Sequence, residues 1–226
     1  MSHISYETVK ELLSSENLGD RLRGVNQIRE LEPAQGLELL QIAIKDQNSR
    51  VRYCAVSQLD TLGAQDLGFS LNILRELLND PEADVQAAAA DCLGALKLQV
   101  AFPDLEKLYH ETPEWVVKFS VIATLGSLGD PRGVDLLKKA LESDNGLVQS
   151  AAISSLGELG NPDAVNILAP YTENPDWQVR HRLVYALANL GGKEARKILE
   201  VLATDSVEAV AKEAKDVLRH EIEVES

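Results

Sequence analysis

Valine recurs along this chain at a spacing close to 31 residues: Val51, Val85, Val117, Val148, Val179 and Val210, with steps of 34, 32, 31, 31 and 31. Four residues after each stand Ala55, Ala89, Val121, Ala152, Leu183 and Ala214. Eight residues after stand Leu59, Leu93, Leu125, Leu156, Leu187 and Leu218. Eleven residues after come Leu62, Leu96, Leu128, Leu159 and Leu190, and Glu221 ends that series. Offsets 0, 4, 8 and 11 share one face of an α-helix, so each repeat carries an amphipathic helix whose apolar stripe is core. A second apolar-periodic segment precedes each of these helices and predicts a partner over residues 6–14, 34–45, 70–79, 103–110, 133–143, 163–171 and 194–203.

Punctuation repeats with the same period. Five residues before each valine sits a residue able to cap a helix: Asp46, Asp80, Thr112, Ser143, Asn174 and Asp205. Pro81, Pro113 and Pro175 follow three of them and are expected at the first helical position, where a missing N–H is harmless. Gly63, Gly129, Gly160 and Gly191 follow the last leucine and suit a left-handed helix end, with Pro131 and Pro162 soon after. In the first repeat Gly24, Val25, Ile28 and Leu31 replace Ala55, Val56, Leu59 and Leu62, the deviation expected of a terminal repeat. These signals predict an all-α fold, a right-handed α-solenoid of about seven helix pairs. No linker or low-complexity segment divides it, so residues 1–226 are read as a single domain with a frayed acidic tail at 221–226.

Composition narrows the function classes. Aromatics are only 4% of the chain against 45% hydrophobic residues, so the core is built from Leu, Val, Ile and Ala, which suit close helix packing. The formal charge of −14 repels phosphate, which argues against nucleic acid and anionic membranes as partners. Two cysteines in separate repeats give no disulfide framework, and neither a signal peptide nor a membrane-length apolar run is seen; a cytoplasmic protein is expected. No phosphate-cradling glycine loop, nucleophile elbow or zinc-protease motif occurs. His3, His110, His181 and His220 lack metal-ligand spacing with each other or with Cys54 and Cys92, so no metal is expected.

Candidate chemistry lies on the face of the second helices opposite the core. Offset 2 reads Tyr53, Ala87, Phe119, Ser150, His181 and Lys212; offset 6 reads Ser57, Asp91, Ala123, Ser154, Tyr185 and Asp216. Offset 9 reads Asp60, Gly94, Gly126, Gly157, Ala188 and Arg219. Small residues with interspersed aromatics make either a shallow channel for a flat ligand or partner helix, or a seam that tight curvature demands. Tyr53, Phe119, His181, Arg182 and Tyr185 are the groove candidates. Trp115 and Trp177, the only tryptophans, stand at equivalent positions two repeats apart and either anchor a partner at the rim or cover a gap. Arg180, His181 and Arg182 are the densest cationic cluster and could meet carboxylates beside an aromatic surface, although Arg180, like Arg52, is better read as the partner of a neighbouring acid. Cys54 and Cys92 read as half-buried packing residues, with a nucleophilic role as the alternative.

The run opening Asp80, Pro81, Glu82, Ala83, Asp84 and Val85, and the segment from residue 152 to Gly160, resemble the phycobilisome-lyase type of HEAT repeat. Residues 19–27 (Gly19, Asp20, Arg21, Leu22, Arg23 and onward), Arg50 to Tyr53, Ser57 to Asp60, and Thr112, Pro113, Glu114 and Trp115 are similar to the phycobilin lyase E/F-type family and its phycobilisome degradation members, over residues 9–218. The resemblance implies a cyanobacterial protein that binds phycobiliproteins, phycocyanin or allophycocyanin subunits, during pigment turnover. It further implies no tightly bound cofactor, an open-chain bilin as a transient ligand, and one of three roles: bilin detachment, adaptor, or bilin attachment. It carries no catalytic signature over to particular residues.

Overall fold

The fold is taken from a computed structural model that describes residues 4–225 and, for residues 221–225, the backbone alone. His3 and the side chains of the acidic tail therefore lie outside the described residues. The chain divides into two compact units, Met1–Val121 and Ile122–Ser226. In the first, α1 (Tyr6–Leu13) precedes α2 (Leu18–Ile28), and α3 (Pro33–Ala43) precedes the split helix α4 (Ser49–Val56) and α5 (Leu59–Leu62). Helix α6 (Leu67–Leu77) precedes α7 (Ala83–Ala95), and α8 (Phe102–Glu111) precedes α9 (Trp115–Leu128), within which the division falls. The second unit holds α10 (Gly133–Leu141) with α11 (Gly146–Leu159) and α12 (Ala164–Leu168) with α13 (Trp177–Leu190). It ends with α14 (Gly192–Leu202) and α15 (Glu208–Glu225). Helix follows helix in pairs throughout, as the α-solenoid class requires.

The apolar stripe is core as its period predicts. Every residue at offsets 0 and 4 is buried, as are Leu59, Leu93, Leu125, Leu156 and Leu187 at offset 8. The stripe loosens at its end, because Leu62, Leu96, Leu159 and Leu190 are only half-buried.

The predicted caps act one step earlier than expected. Asp46, Asp80, Thr112, Ser143, Asn174 and Asp205 each accept the N–H of the residue two positions on, at 2.8 to 3.2 Å. That bond closes a turn ahead of the helix. The helices themselves are capped two residues later, by Asn48, Asn145 and Asp176. Pro81, Pro113 and Pro175 accordingly sit inside the turns and not at the first helical position, since α7, α9 and α13 begin at Ala83, Trp115 and Trp177. Proline fits either place, because both need φ near −65°. Gly63 also departs from expectation: its backbone stays right-handed, and a Cβ there would stand 2.8 Å from both Leu96 Cδ1 and Ser70 Oγ. Close packing, not a left-handed turn, requires that glycine.

Two sets of side chains tie several of the second helices to their neighbours. Arg21, Arg52 and Arg180, one residue past the repeat origin, grip the turn aspartate of the next repeat: Arg21 Nε to Asp46 at 2.7 Å, Arg52 Nε to Asp80 at 2.8 Å and Arg180 Nε to Asp205 at 2.6 Å. Each guanidinium also donates to carbonyls of its own turn. Where the next turn residue is Thr112 or Asn174, the arginine is replaced by Gln86 or Gln149, whose amide donates to a carbonyl of its own repeat. A second set of bonds comes from offset 7, where a side chain reaches a carbonyl of the preceding second helix. Gln58 Nε2 donates to Val25 O at 2.8 Å, Cys92 Sγ to Val56 O at 3.1 Å and Ser155 Oγ to Ile122 O at 2.8 Å. The long Gln58 amide also takes Cys54 O at 3.3 Å, while the Gln58 N–H goes to Ala55 O. Insertion of that amide into the helical ladder accounts for the break between α4 and α5.

Candidate functional site

Helix α13 carries the most organised surface chemistry of the second unit. Trp177, its first residue, is followed at helical spacing by His181 and Tyr185, so the three rings fall on one face. Trp177 meets His181 edge-on, with ring centroids 6.2 Å apart, and His181 meets Tyr185 edge-on at 5.3 Å. Such edge contacts suit the negative faces and positive rims of aromatic rings. The ridge is not sealed by its neighbours: Trp177 is 42% and Tyr185 43% exposed, while His181 is half-buried between them.

Charge around the ridge is asymmetric. Partial burial and the Glu213 carboxylate of α15 push the Tyr185 phenol above its ordinary pKa. Arg182 is exposed and makes no ion pair among the described residues. Arg180 is not part of this cluster. Its guanidinium turns to Asp205 and to Asn174 O, as the structural reading of that residue anticipated. The cationic contribution therefore reduces to Arg182 beside His181. Glu213 escaped sequence reasoning because nothing in its own repeat marks it; only the packing of α15 against α13 brings it to Tyr185.

The remaining candidates lie in the first unit. Tyr53 on α4 is 46% exposed, Trp115 at the start of α9 is 50% exposed, and Phe119 one turn further along α9 is half-buried. Among the described residues no ring contact joins Tyr53 to Trp115 or Phe119.

The small residues of the expected channel serve packing in the second unit. A Cβ on Gly157 would lie 2.6 Å from Ala186 Cα, and one on Gly126 would lie 2.9 Å from Ser155 Cα. Both positions are buried where successive second helices touch backbone to backbone. Glycine at these positions thus serves the seam, one of the two readings that its pattern allowed.

Cys92 is not placed for nucleophilic work. Cys92 is buried, its thiol donates to Val56 O, and burial pushes its pKa far above the ordinary thiol range. A buried thiol held protonated in this way does not attack. Cys54 is half-buried. In native protein, iodoacetamide is expected to label Cys54 and leave Cys92 unmodified until denaturant is added; peptide mass mapping showing Cys92 alkylated in the native state would overturn this. Among the described residues there is no metal-binding group of His, Cys, Asp and Glu, and no helix is long and apolar enough to cross a membrane.

Comparisons with known proteins agree with this architecture. The family model described as HEAT repeats matches residues 37–126, 71–156 and 139–219. The structure of the complex of CpcE and CpcF of phycocyanin lyase from Nostoc sp. PCC7120 is similar at a TM-score of 0.63 and 21% identity, covering 97% of this chain and 96% of that one. The structure of YibA of Escherichia coli is similar at a TM-score of 0.66 and 18% identity, covering 95% of this chain and 81% of that one. At these identities the likeness is one of fold. No curated protein sequence matches the chain.

Proposed function

The chain belongs to the HEAT-repeat family, and from that premise we propose that it is a phycobiliprotein-binding protein of phycobilisome turnover that promotes detachment of the bilin. The observation that carries the proposal is the α13 ridge: three rings at one helical spacing, two of them more than two-fifths exposed, beside an exposed arginine with no ion pair among the described residues, in a chain of net charge −14. A ring edge surface next to one exposed guanidinium suits a flat conjugated ligand that carries carboxylates. The sequence likeness to the phycobilisome degradation protein NblB and the full-length fold likeness to the phycocyanin lyase complex support the same ligand class.

Detachment reverses the addition of a thiol. The carbon–sulfur bond breaks, its electron pair leaves on the cysteine sulfur of the phycobiliprotein, and the neighbouring bilin carbon gives up a proton as the double bond re-forms. The sulfur then takes up a proton, so no oxidant or reductant is consumed. The ridge is proposed to bind the chromophore as it leaves, and no residue of this chain is assigned as the acid or base.

The test uses purified full-length protein with holo-phycocyanin, and separately with apo-subunit and free bilin, following absorbance and covalently bound bilin. Loss of covalent bilin from the holo-protein is the expected result. Complex formation without that loss replaces detachment with an adaptor role, and gain of covalent bilin on the apo-subunit replaces it with attachment. In the same assay His181→Ala with Tyr185→Ala is expected to weaken holo-phycocyanin binding by about tenfold, the effect of losing central aromatic contacts, while far-UV circular dichroism stays unchanged. Binding at the unaltered level would remove the ridge from the proposal.

A further inference from the structure

The two tryptophans stand in a duplicated setting, of which the ridge uses only Trp177. Thr112, Pro113, Glu114 and Trp115 correspond residue for residue to Asn174, Pro175, Asp176 and Trp177, each set at offsets −5 to −2 of its repeat. In each case the proline walls an open cleft between the ends of two successive first helices. The cleft in the first unit holds about 630 Å³ and that in the second about 590 Å³, within the range of small-ligand sites.

The linings match by position as well as by shape. Leu78 and Leu141 occupy the same offset in their repeats, as do Glu111 and Glu173, and as do Pro113 and Pro175. Apolar side chains, Leu78 with Leu108 and Leu141 with Ile167, line both clefts. Carboxylates outnumber cations among the lining residues: Glu82, Glu111 and Glu114 line the first with no cation among them, although Glu111 meets Lys107 at 3.9 Å just outside it, and Glu142 and Glu173 line the second with Lys138. Two residues beyond each proline, a tryptophan leaves about half of its surface in solvent: 50% for Trp115 and 42% for Trp177.

We propose that each of these loops, with the cleft its proline walls, is a docking site for an exposed segment of a partner protein in which a leucine lies between lysines or arginines. The apolar side chain enters against the leucines, the cations meet the carboxylates, and the tryptophan face takes a flanking cation. Charge complementarity selects this occupant, because an acidic or neutral segment leaves the carboxylates unmatched at an already negative surface. The same geometry occurring twice provides two equivalent sites on one chain. The first site stands independently of the bilin reading, since it contains no residue of the α13 ridge, whereas the second shares Trp177 with that ridge.

Neither tryptophan lines its cleft, but each follows the walling proline by two residues and so serves as the probe of one site. Full-length Trp177→Phe and Trp115→Phe variants, checked for unchanged circular dichroism, are titrated with an amidated peptide of sequence Lys-Leu-Lys-Leu-Lys while tryptophan emission is followed. Control peptides replace every lysine with glutamate or every leucine with serine. The expected result is a saturable change in emission of both variants with the first peptide alone. Its affinity should fall about threefold on Glu111→Gln in the variant that retains Trp115, and about threefold on Glu173→Gln in the variant that retains Trp177, as for loss of one surface ion pair. No emission change, or an equal change with the glutamate peptide, overturns the proposal. An equal response to the serine peptide overturns the apolar pocket, and a response in one variant only overturns the equivalence of the sites.

Discussion

Asp205→Ala is expected to destabilise the second unit by about 3 kcal/mol, the scale of leaving one buried charge without its partner. The aspartate accepts from Arg180 Nε at 2.6 Å and Nη2 at 2.9 Å, and from the Val207 N–H at 2.8 Å. Its side chain is 7% and that of Arg180 12% exposed, so water cannot replace those bonds cheaply. The double change Arg180→Gln with Asp205→Asn should recover most of the loss. It installs the combination already present at Gln149 and Asn174, where an amide donor and an amide turn residue serve in place of the ion pair. Urea unfolding followed by Trp177 emission, in a Trp115→Phe background, reads the second unit. The pH dependence has a definite sign. Hydrogen bonding from Arg180 holds the Asp205 carboxyl below its ordinary range. The stabilisation it brings is therefore fully present above the unfolded value of about 3.9 and is lost as pH falls through the lower folded value. The gap between wild type and Asp205→Ala should be constant from pH 7 to about pH 4 and narrow below that. A gap that widened on acidification would remove the ion pair as its cause.

The sequence displayed the core of this fold almost completely, because burial against a neighbouring helix demands an apolar residue at fixed offsets whatever else varies. Val51 through Val210 and the leucines eight residues on could be placed from spacing alone, and all of these valines are buried. Polar residues were legible in kind but not in place. Asp46 and Asp80 were recognised as N–H acceptors, but a turn and a helix cap use the same residue types, and only the backbone shows which donor they meet. The offset-7 bonds were invisible because their donors, Gln58, Cys92 and Ser155, have no common chemistry beyond a polar hydrogen. At the candidate site the helical spacing of Trp177, His181 and Tyr185 was readable, and so was the structural use of Arg180. What was not readable was that Gly126 and Gly157 touch backbone. A small residue in a channel and a small residue in a seam look identical in one sequence.

That last ambiguity leads to a direct measurement. Gly157→Ala is expected to destabilise the second unit by about 1 to 3 kcal/mol, the usual effect of adding a methyl group to a filled interface. Two effects oppose each other at this position. Alanine in a helix interior is favoured over glycine by up to about 1 kcal/mol. The added Cβ, however, would stand 2.6 Å from Ala186 Cα, 2.9 Å from Ala186 Cβ and 3.1 Å from Ala186 O. The first and third of those atoms are backbone, so no rotamer change relieves the contact and α13 itself must shift away from α11. The steric term wins. Gly146→Ala on the same helix is the control: nothing lies within 4 Å of its Cβ position, so stability should be unchanged or slightly raised. Because Trp177, His181 and Tyr185 are carried on α13, the shift should also weaken holo-phycocyanin binding in Gly157→Ala and leave it intact in Gly146→Ala. If both variants unfold at the wild-type urea midpoint, successive second helices do not meet backbone to backbone, and the small residues revert to the open channel that their pattern first suggested.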